Sequence, residues 1–201
     1  MTFNNTFTKL ALAASFLFIP FSIIAEPTLE EVVVSARKVN ENLQDVPIAM
    51  SVFTSSDIED AGIQRPEDFI ALTPNVVMAN TVNVGDTLVT IRGLTSTRDA
   101  ESNFAFVIDG VLQTNPNAFN RELLDIAQIE VLKGPQGALY GRNATSGAIL
   151  ITTKAPSEES ESTAVLGLGV NDTTKLQFVK KKKMGDNIYT RFSISTRETD
   201  G

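Results

Sequence analysis

The sequence contains no cysteine and no histidine in its 201 residues. The first absence excludes disulfide bonds and thiolate nucleophiles, and the second excludes His-based catalytic triads and the usual zinc and copper sites. A secreted hydrolase that uses a carboxylate pair is the remaining enzyme alternative. No pair of acidic residues stands in an apolar surround that would move their pKa values apart, so we predict a protein that is not an enzyme and needs no cofactor.

Positive charge is also scarce, because 17 Lys and Arg residues face 24 Asp and Glu residues, which gives a net charge of −7. An acidic chain is a poor partner for the phosphate backbone, so we predict no nucleic-acid binding. Only one long apolar run is present, and it lies at the N-terminus. Any membrane contact of the remaining chain must therefore be made by strands rather than helices.

The N-terminal apolar run covers residues 10–24, and Lys9 is the only charged residue before Glu26. This run is too short to cross about 30 Å of hydrocarbon but has the length of a signal-peptide core. We predict a cleaved signal peptide at residues 1–25, with Ala25 before the cut, and export of the protein. The alternative, an amphipathic or buried N-terminal helix, is disfavoured because the run is apolar all round.

Three consecutive valines follow the predicted cleavage site in the hexapeptide Glu31-Val32-Val33-Val34-Ser35-Ala36. β-Branched residues favour an extended backbone, and Glu30 and Glu31 keep the strip solvated. No nearby segment is expected to bury it, so the sequence predicts a strand that is free to pair with a partner protein. Residues 26–44 as a whole are predicted to be a polar tether. The alternative is that the valines form an ordinary edge strand of the following domain.

Residues 45–156 have the pattern of a small mixed β-sheet with short helices, an α+β domain. Helix caps at residues 54–56 and Pro66 at a first helical position predict two short helices, the second of about two turns. Short apolar runs bounded by polar or glycine-containing segments predict the strands. These runs cover residues 88–93, 104–111, 127–132 and 148–154.

Residues 157–201 show alternating apolar and polar positions with short turns, which predicts three antiparallel strands. Strands of about nine to eleven residues with this alternation are typical of a transmembrane β-barrel, although a soluble antiparallel meander is the alternative. Three strands cannot close a barrel and would leave an edge unpaired in lipid. We therefore expect this chain to be a fragment of a longer protein. The basic run 180–183 is expected to be a solvated strand end.

Together these motifs resemble the start of a TonB-dependent outer-membrane receptor, from its signal peptide through the TonB box and plug domain into the first barrel strands. The resemblance extends over essentially the whole chain. The motifs that carry it, in chain order, are Glu31-Val32-Val33-Val34-Ser35-Ala36, Asp45-Val46-Pro47-Ile48, Ile91-Arg92-Gly93, Val107-Ile108-Asp109-Gly110-Val111, Ile129-Glu130-Val131-Leu132-Lys133-Gly134-Pro135, Leu139-Tyr140-Gly141 and residues 147–154.

This resemblance implies active transport of a scarce nutrient across the outer membrane, with the plug closing the barrel lumen. The partners implied are TonB with its inner-membrane energising complex, outer-membrane lipid, and a small-molecule ligand. A ferric siderophore is the default ligand, ahead of cobalamin and oligosaccharides. The implied TonB-binding residues are Glu31, Val32, Val33, Val34, Ser35 and Ala36. The alternative function is a periplasmic plug-like module that binds or signals without a barrel.

The resemblance also implies that Arg92 and Lys133 latch the plug to carboxylates on the barrel wall. Alternatively, both cations point to water or pair with Glu130 or Asp109. Polar loops between the predicted strands are the expected ligand contacts, since their side chains can hydrogen-bond an oxygen-rich iron chelate. The residues in these loops are Asn80, Asn83, Asp86, Arg98, Asn103, Gln113, Asn115 and Asn117.

Overall fold

The computed structural model describes residues 31–80, 87–96, 101–115, 119, 121–156 and 158–200. The predicted signal peptide lies outside these ranges. From Val32 onward the chain forms one compact unit, and within the described ranges no helix is both long and apolar enough to cross a membrane. The elements are β1 (Val33–Val34), β2 (Glu41–Asn42), β3 (Met50–Thr54), α1 (Ser55–Asp60), α2 (Pro66–Ala71), β4 (Val76–Asn80), β5 (Thr87–Ile91), β6 (Leu94–Thr95), β7 (Phe104–Ile108), β8 (Val111–Leu112), β9 (Ile126–Lys133), α3 (Gly137–Tyr140), β10 (Gly147–Thr153), β11 (Glu161–Leu168), β12 (Thr174–Lys183) and β13 (Tyr189–Glu198).

A five-stranded mixed sheet in the order β3-β9-β10-β7-β8 forms the centre of the unit. Strands β10 and β7 are parallel, and the other neighbouring pairs are antiparallel. The predicted α+β architecture is confirmed. The helix starts also follow the sequence, since Thr54 caps α1 in a capping box with Asp57 and Pro66 opens α2.

The two faces of this sheet are buried by different kinds of side chain. One face, here called the helix face, packs large residues against α1, α2 and β4–β5. Its members include Phe69, Ile91, Phe106, Ile129 and Ile149. The opposite face, here called the hairpin face, carries smaller side chains from the alternate positions of the same strands. Its buried members are Ala105, Val107, Leu132, Ala148 and Leu150, and Ala36 and Ala144 from outside the sheet pack with them.

Two tight hairpins and one close backbone approach fix the geometry around the sheet. Arg92-Gly93 joins β5 to β6 and Asp109-Gly110 joins β7 to β8, and all four residues have positive φ, as two-residue turns of this hand require. At Gly147 an added Cβ would collide with the carbonyl oxygen of Leu132 on β9. Glycine is therefore required where β10 begins.

A separate antiparallel sheet, β11-β12-β13, follows the five-stranded sheet. The three strands that the alternating pattern predicted are thus present. Residues 174–183 of β12 pair along their whole length with β13. Within the described residues these strands do not form a closed barrel.

Candidate functional site

The valine strip lies in a short β-hairpin that we call the valine hairpin, residues 32–43. Val33 and Val34 of β1 pair with Asn42 and Glu41 of β2. At the open end, the Leu43 amide donates to the carbonyl oxygen of Val32 across 2.9 Å. The strip therefore has an internal pairing partner, which the sequence alone did not reveal.

The valine hairpin covers the hairpin face of the five-stranded sheet. Val34 is 1% exposed and Ala36 is 0% exposed, whereas Val33 is 48% exposed. The expectation of a wholly solvated strip in a polar tether is therefore wrong for this segment. The physical reason is that the continuous apolar runs in β7 and β10 bury side chains on both faces of the sheet, so that the second face also needs a cover.

Four hydrogen bonds fasten the hairpin to β9 and α3. The amide and the hydroxyl of Ser35 both donate to Oε1 of Glu130, each across 3.0 Å. Nε2 of Gln128 donates to the carbonyl oxygen of Val33 across 3.0 Å. The Tyr140 hydroxyl, in α3, donates to the carbonyl oxygen of Ala36 across 2.8 Å. Every residue of the strip from Val33 to Ala36 thus contacts the sheet or β2.

Glu130 is the buried acid at the centre of this contact, with 2% of its surface exposed. Burial raises the pKa of Glu130, and the hydrogen bonds from Ser35 and from the Ala36 amide only partly oppose that effect. Among the described residues, Oε2 of Glu130 has no hydrogen-bond partner. The docked hairpin therefore holds a carboxyl group that water would solvate better in its charged form.

Tyr140 shares this environment. Burial, followed by the charge of Glu130, raises the pKa of the Tyr140 hydroxyl to about 12. The phenol consequently stays protonated and keeps donating to Ala36. The ammonium of Lys38 lies 5.5 Å from the centre of the Tyr140 ring.

A cavity of about 470 Å³ lies beside the docked hairpin. Ser35 and Lys38 line it from the hairpin, and Val107, Tyr140 and Leu150 line it from the sheet side. The hairpin therefore does not fill the surface that it covers. Its attachment depends on a few small apolar groups and on the polar contacts to Gln128, Glu130 and Tyr140.

The two predicted latch residues occupy accessible positions near the ends of strands. Arg92 lies exposed in the β5–β6 turn, and Nζ of Lys133 donates to Oγ of Ser51 across 3.1 Å. The alternative pairing with Glu130 or Asp109 is wrong, because Glu130 accepts from Ser35 and Asp109 accepts from the last residue of β10. Within the described ranges neither cation has a carboxylate partner, so their latch role stays a prediction.

A different set of ion pairs joins the segment before β9 to the sheet of β11–β13. Lys175 of β12 lies 2.8 Å from Glu122, and Lys181 of β12 lies 3.0 Å from Asp125, with all four side chains largely buried. Arg191 of β13 approaches Asp125 at 3.7 Å. In the predicted latch the cations belong to the plug and the carboxylates to the barrel wall. In these pairs the acids precede the sheet of β11–β13 and the cations lie on that sheet.

Glu122 is the best-satisfied acid of this junction. Burial raises the pKa of its carboxyl group, but hydrogen bonds from Lys175 and Ser195, and then the charge of Lys175, outweigh it and leave the pKa lowered. Gln177 also donates to Glu122, across 3.3 Å. Sequence reasoning missed this site, although Lys175, Gln177 and Lys181 share one parity of β12. The expectation of a solvated basic run is wrong for Lys181, which is buried.

The predicted ligand-contact residues are not brought together as one site. Side-chain and backbone oxygens of Asn103 accept from Ser96 and Ser146, and the side chain of Gln113 accepts from Arg121. Asn115 is exposed, and Asn80 ends β4. Outside the described residues lie Asn83, Asp86, Arg98 and Asn117. Their ligand contact stays a prediction, and the described residues contain no cluster of three or more acids that could hold a metal ion.

Comparison with known proteins places these features in context. The family model "TonB-dependent Receptor Plug Domain" matches residues 42–148. The pesticin receptor of Yersinia enterocolitica is 27% identical over 178 residues, covering 88% of this chain and 26% of that protein. The vitamin B12 transporter BtuB of Vibrio vulnificus is 27% identical over 201 residues, covering 96% and 32%. This chain thus spans about a quarter to a third of the length of these relatives.

Solved structures show the same fold. The ferric yersiniabactin uptake receptor FyuA of Yersinia pestis superposes with a TM-score of 0.68 at 25% identity, over 74% of this chain and 24% of that one. The alcaligin outer-membrane receptor FauA of Bordetella pertussis gives a TM-score of 0.68 at 20% identity, over 84% and 29%. The second likeness speaks for the fold alone.

Proposed function

We propose, from the premise that this chain belongs to the TonB-dependent receptor plug domain family, that it forms the plug and first wall strands of an outer-membrane transporter. The proposed organisation is a signal peptide at 1–25, a TonB-binding segment within 26–44, a plug at 45–156 and wall strands from 157 onward. The observation that carries the proposal is the valine hairpin, an extended segment that is docked on the plug by a small number of breakable contacts.

TonB would bind this segment by pairing with its backbone. A strand that is added to a partner's sheet gains main-chain hydrogen bonds, and alternate side chains set the register. Residues 31–36 can form such a strand only after β1 leaves β2 and Ser35 leaves Glu130. Release would return Glu130 to water, where its charged form is better solvated, and this gain offsets part of the cost of opening.

The cargo that we propose is a ferric siderophore. The support is that a solved structure with this fold, at 25% identity, is named as the ferric yersiniabactin uptake receptor. Vitamin B12 is the second candidate, because BtuB is also a relative. Arg92 and Lys133 remain proposed latch residues for carboxylates of the wall.

The outward face of β11–β13 argues against a barrel-less periplasmic module. Leu166 and Leu168 are 69% and 81% exposed, and Leu176, Phe192 and Ile194 are also at least half exposed. A protein that stays in water rarely exposes such a continuous apolar surface without a partner. Lipid is the partner that a membrane wall would supply.

The first test replaces Val33 with proline, which removes an amide that strand pairing needs. The expected result is loss of binding between the purified chain and the periplasmic domain of TonB in isothermal titration calorimetry. In cells, energy-dependent uptake should be lost while ligand binding at the surface is kept. Val39→Pro, at an exposed position outside residues 31–36, is the matched control. Unimpaired TonB binding and uptake by Val33→Pro would reject the proposal.

A second variant should act in the opposite direction. Ser35→Ala removes one of the two hydrogen bonds that Ser35 donates to Glu130 and so raises the fraction of open hairpin. Apparent affinity scales with the fraction of the competent state, so TonB should bind this variant about fivefold more tightly, for a bond worth about 1 kcal/mol. Weaker binding would indicate that the Ser35 hydroxyl contacts TonB directly.

A further inference from the structure

The basic run at the end of β12 divides into two pairs of lysines with different surroundings. Lys181 and Lys183 point toward carboxylates, with Lys181 3.0 Å from Asp125 and Lys183 2.9 Å from Glu158. Lys180 and Lys182 lie on the opposite face of the strand and are exposed. In the described part of the chain neither of these two has an ion-pair partner.

The strand register shows what surrounds the two unpaired lysines. Lys180 lies opposite Ser162 of β11 and Phe192 of β13, and Lys182 lies opposite Thr190. None of these cross-strand neighbours is acidic. The closest residue along the same face of β12 is Phe178, which begins the apolar surface.

That surface is a band that covers the outward face of all three strands. Its large exposed members are Leu166, Leu168, Leu176, Phe192 and Ile194. Lys180 and Lys182 border one end of the band, while at the other end the outward position opposite Thr174 is occupied by Glu198. The two ends of the face therefore differ in the sign of their charge.

We propose that Lys180 and Lys182 bind the phosphate of an anionic glycerophospholipid whose acyl chains lie against the apolar band. Lysine stems can follow an apolar surface while the ammonium reaches the headgroup region. Positions i and i+2 of a strand lie about 7 Å apart, so that one phosphate can accept hydrogen bonds from both side chains. Phosphatidylglycerol fits best, because its headgroup has no ammonium of its own to neutralise the phosphodiester.

This inference rests on the proposed membrane function. It predicts attraction to an anionic membrane surface, whereas the net charge of the chain predicts repulsion. A chain with a net charge of −7 should be repelled by an anionic surface. The two lysines, each worth about 1 kcal/mol near such a surface, should instead give a preference for anionic vesicles of about 30-fold between them.

The test measures how the purified chain partitions, by flotation, into three kinds of vesicle. These are phosphatidylcholine alone, phosphatidylcholine with 30% phosphatidylglycerol, and phosphatidylcholine with lipid A at matched phosphate. The expected result is a preference for phosphatidylglycerol in the wild type that Lys180→Gln/Lys182→Gln abolishes. Lys154→Gln/Lys183→Gln is the control, because it removes the same charge from residues already paired with Glu59 and Glu158. The control should keep the preference.

Each other outcome has a definite meaning. An unchanged preference in Lys180→Gln/Lys182→Gln, or an equal loss in the control, would overturn the headgroup site. Binding to lipid A vesicles alone would overturn the choice of phospholipid. Failure to bind any vesicle, including phosphatidylcholine, would contradict lipid contact by the apolar band, whereas normal binding to phosphatidylcholine without an anionic preference would contradict only the headgroup site.

Discussion

The two faces of the five-stranded sheet are buried by the same strands but in different ways. The helix face packs phenylalanine and isoleucine side chains, and its cover of helices and strands is continuous with the core. The hairpin face packs alanines, encloses Glu130, and is covered by a hairpin with a cavity beside it. From this difference we predict that the helix-face cover opens only with the whole domain, whereas the hairpin can open while the domain stays folded.

The largest expected effect comes from a truncation on the helix face. Ile149→Ala removes a fully buried side chain from β10 and should lower the free energy of unfolding by about 3 kcal/mol. Urea unfolding followed by circular dichroism would measure it. A loss below about 1 kcal/mol would mean that this face is less tightly packed than the structure indicates.

A truncation under the hairpin should have a smaller and local effect. Val34→Ala should destabilise the docked hairpin by about 1–2 kcal/mol. Hydrogen exchange of the Leu43 amide, which donates to Val32, would report this opening. Exchange of the β9 and β10 amides should stay at the wild-type rate. Equal acceleration in both regions would show that the hairpin and the sheet unfold together.

Docking of the valine hairpin should also depend on pH through Glu130. Because the pKa of Glu130 is raised in the docked state, docking is most stable below the ordinary glutamate pKa and loses stability as pH rises through the raised value. Protection of the Leu43 amide, corrected for intrinsic exchange, should therefore fall across this interval. Glu130→Gln should remove the dependence, and its persistence in that variant would assign the effect to another group.

Loss of one hydroxyl should have a moderate effect. Tyr140→Phe leaves the carbonyl oxygen of Ala36 without its donor and should weaken docking by about 1 kcal/mol. The same exchange measurement checks it, with global urea unfolding as the control. A change in global stability of the same size would mean that α3 supports the whole domain through this bond.

The smallest effect is expected at the rim of the hairpin. Arg37 and Glu41 form an exposed pair at 3.3 Å, and surface pairs of this kind contribute about 0–1 kcal/mol. Arg37→Gln should therefore change Leu43 exchange by less than about fivefold. A larger change would add this pair to the contacts that hold the hairpin.

Local patterns were sufficient to predict the helices α1 and α2 and the longer strands β5, β7, β9, β10 and β11–β13. The caps at Thr54 and Pro66 and the alternation in β11–β13 depend on neighbouring residues, and all appear in the structure. The cover of the hairpin face depends on residues far apart in sequence. Ser35 and Glu130 are 95 positions apart, and nothing near either residue indicates their contact.

The junction of the two sheets illustrates the same limit. Alternation predicts which residues of β12 share a face, but not which face meets the preceding domain. Lys175 and Lys181 share the parity that meets Glu122 and Asp125, while Lys180 has the other. The continuous apolar runs of β7 and β10 were the one signal in the sequence that a second cover was needed.

The position of the Leu43–Val32 bond determines how force would act on the hairpin. A pull on the chain before Val32 is applied at the open end of two antiparallel strands, so the ladder bonds carry the load one after another, beginning with this bond. Bonds that break in succession yield to a weaker force than bonds loaded together. Tension could thus free residues 32–36 without straining β9 or β10. If the same bonds form again in the reverse order, the valine hairpin returns to its docked position.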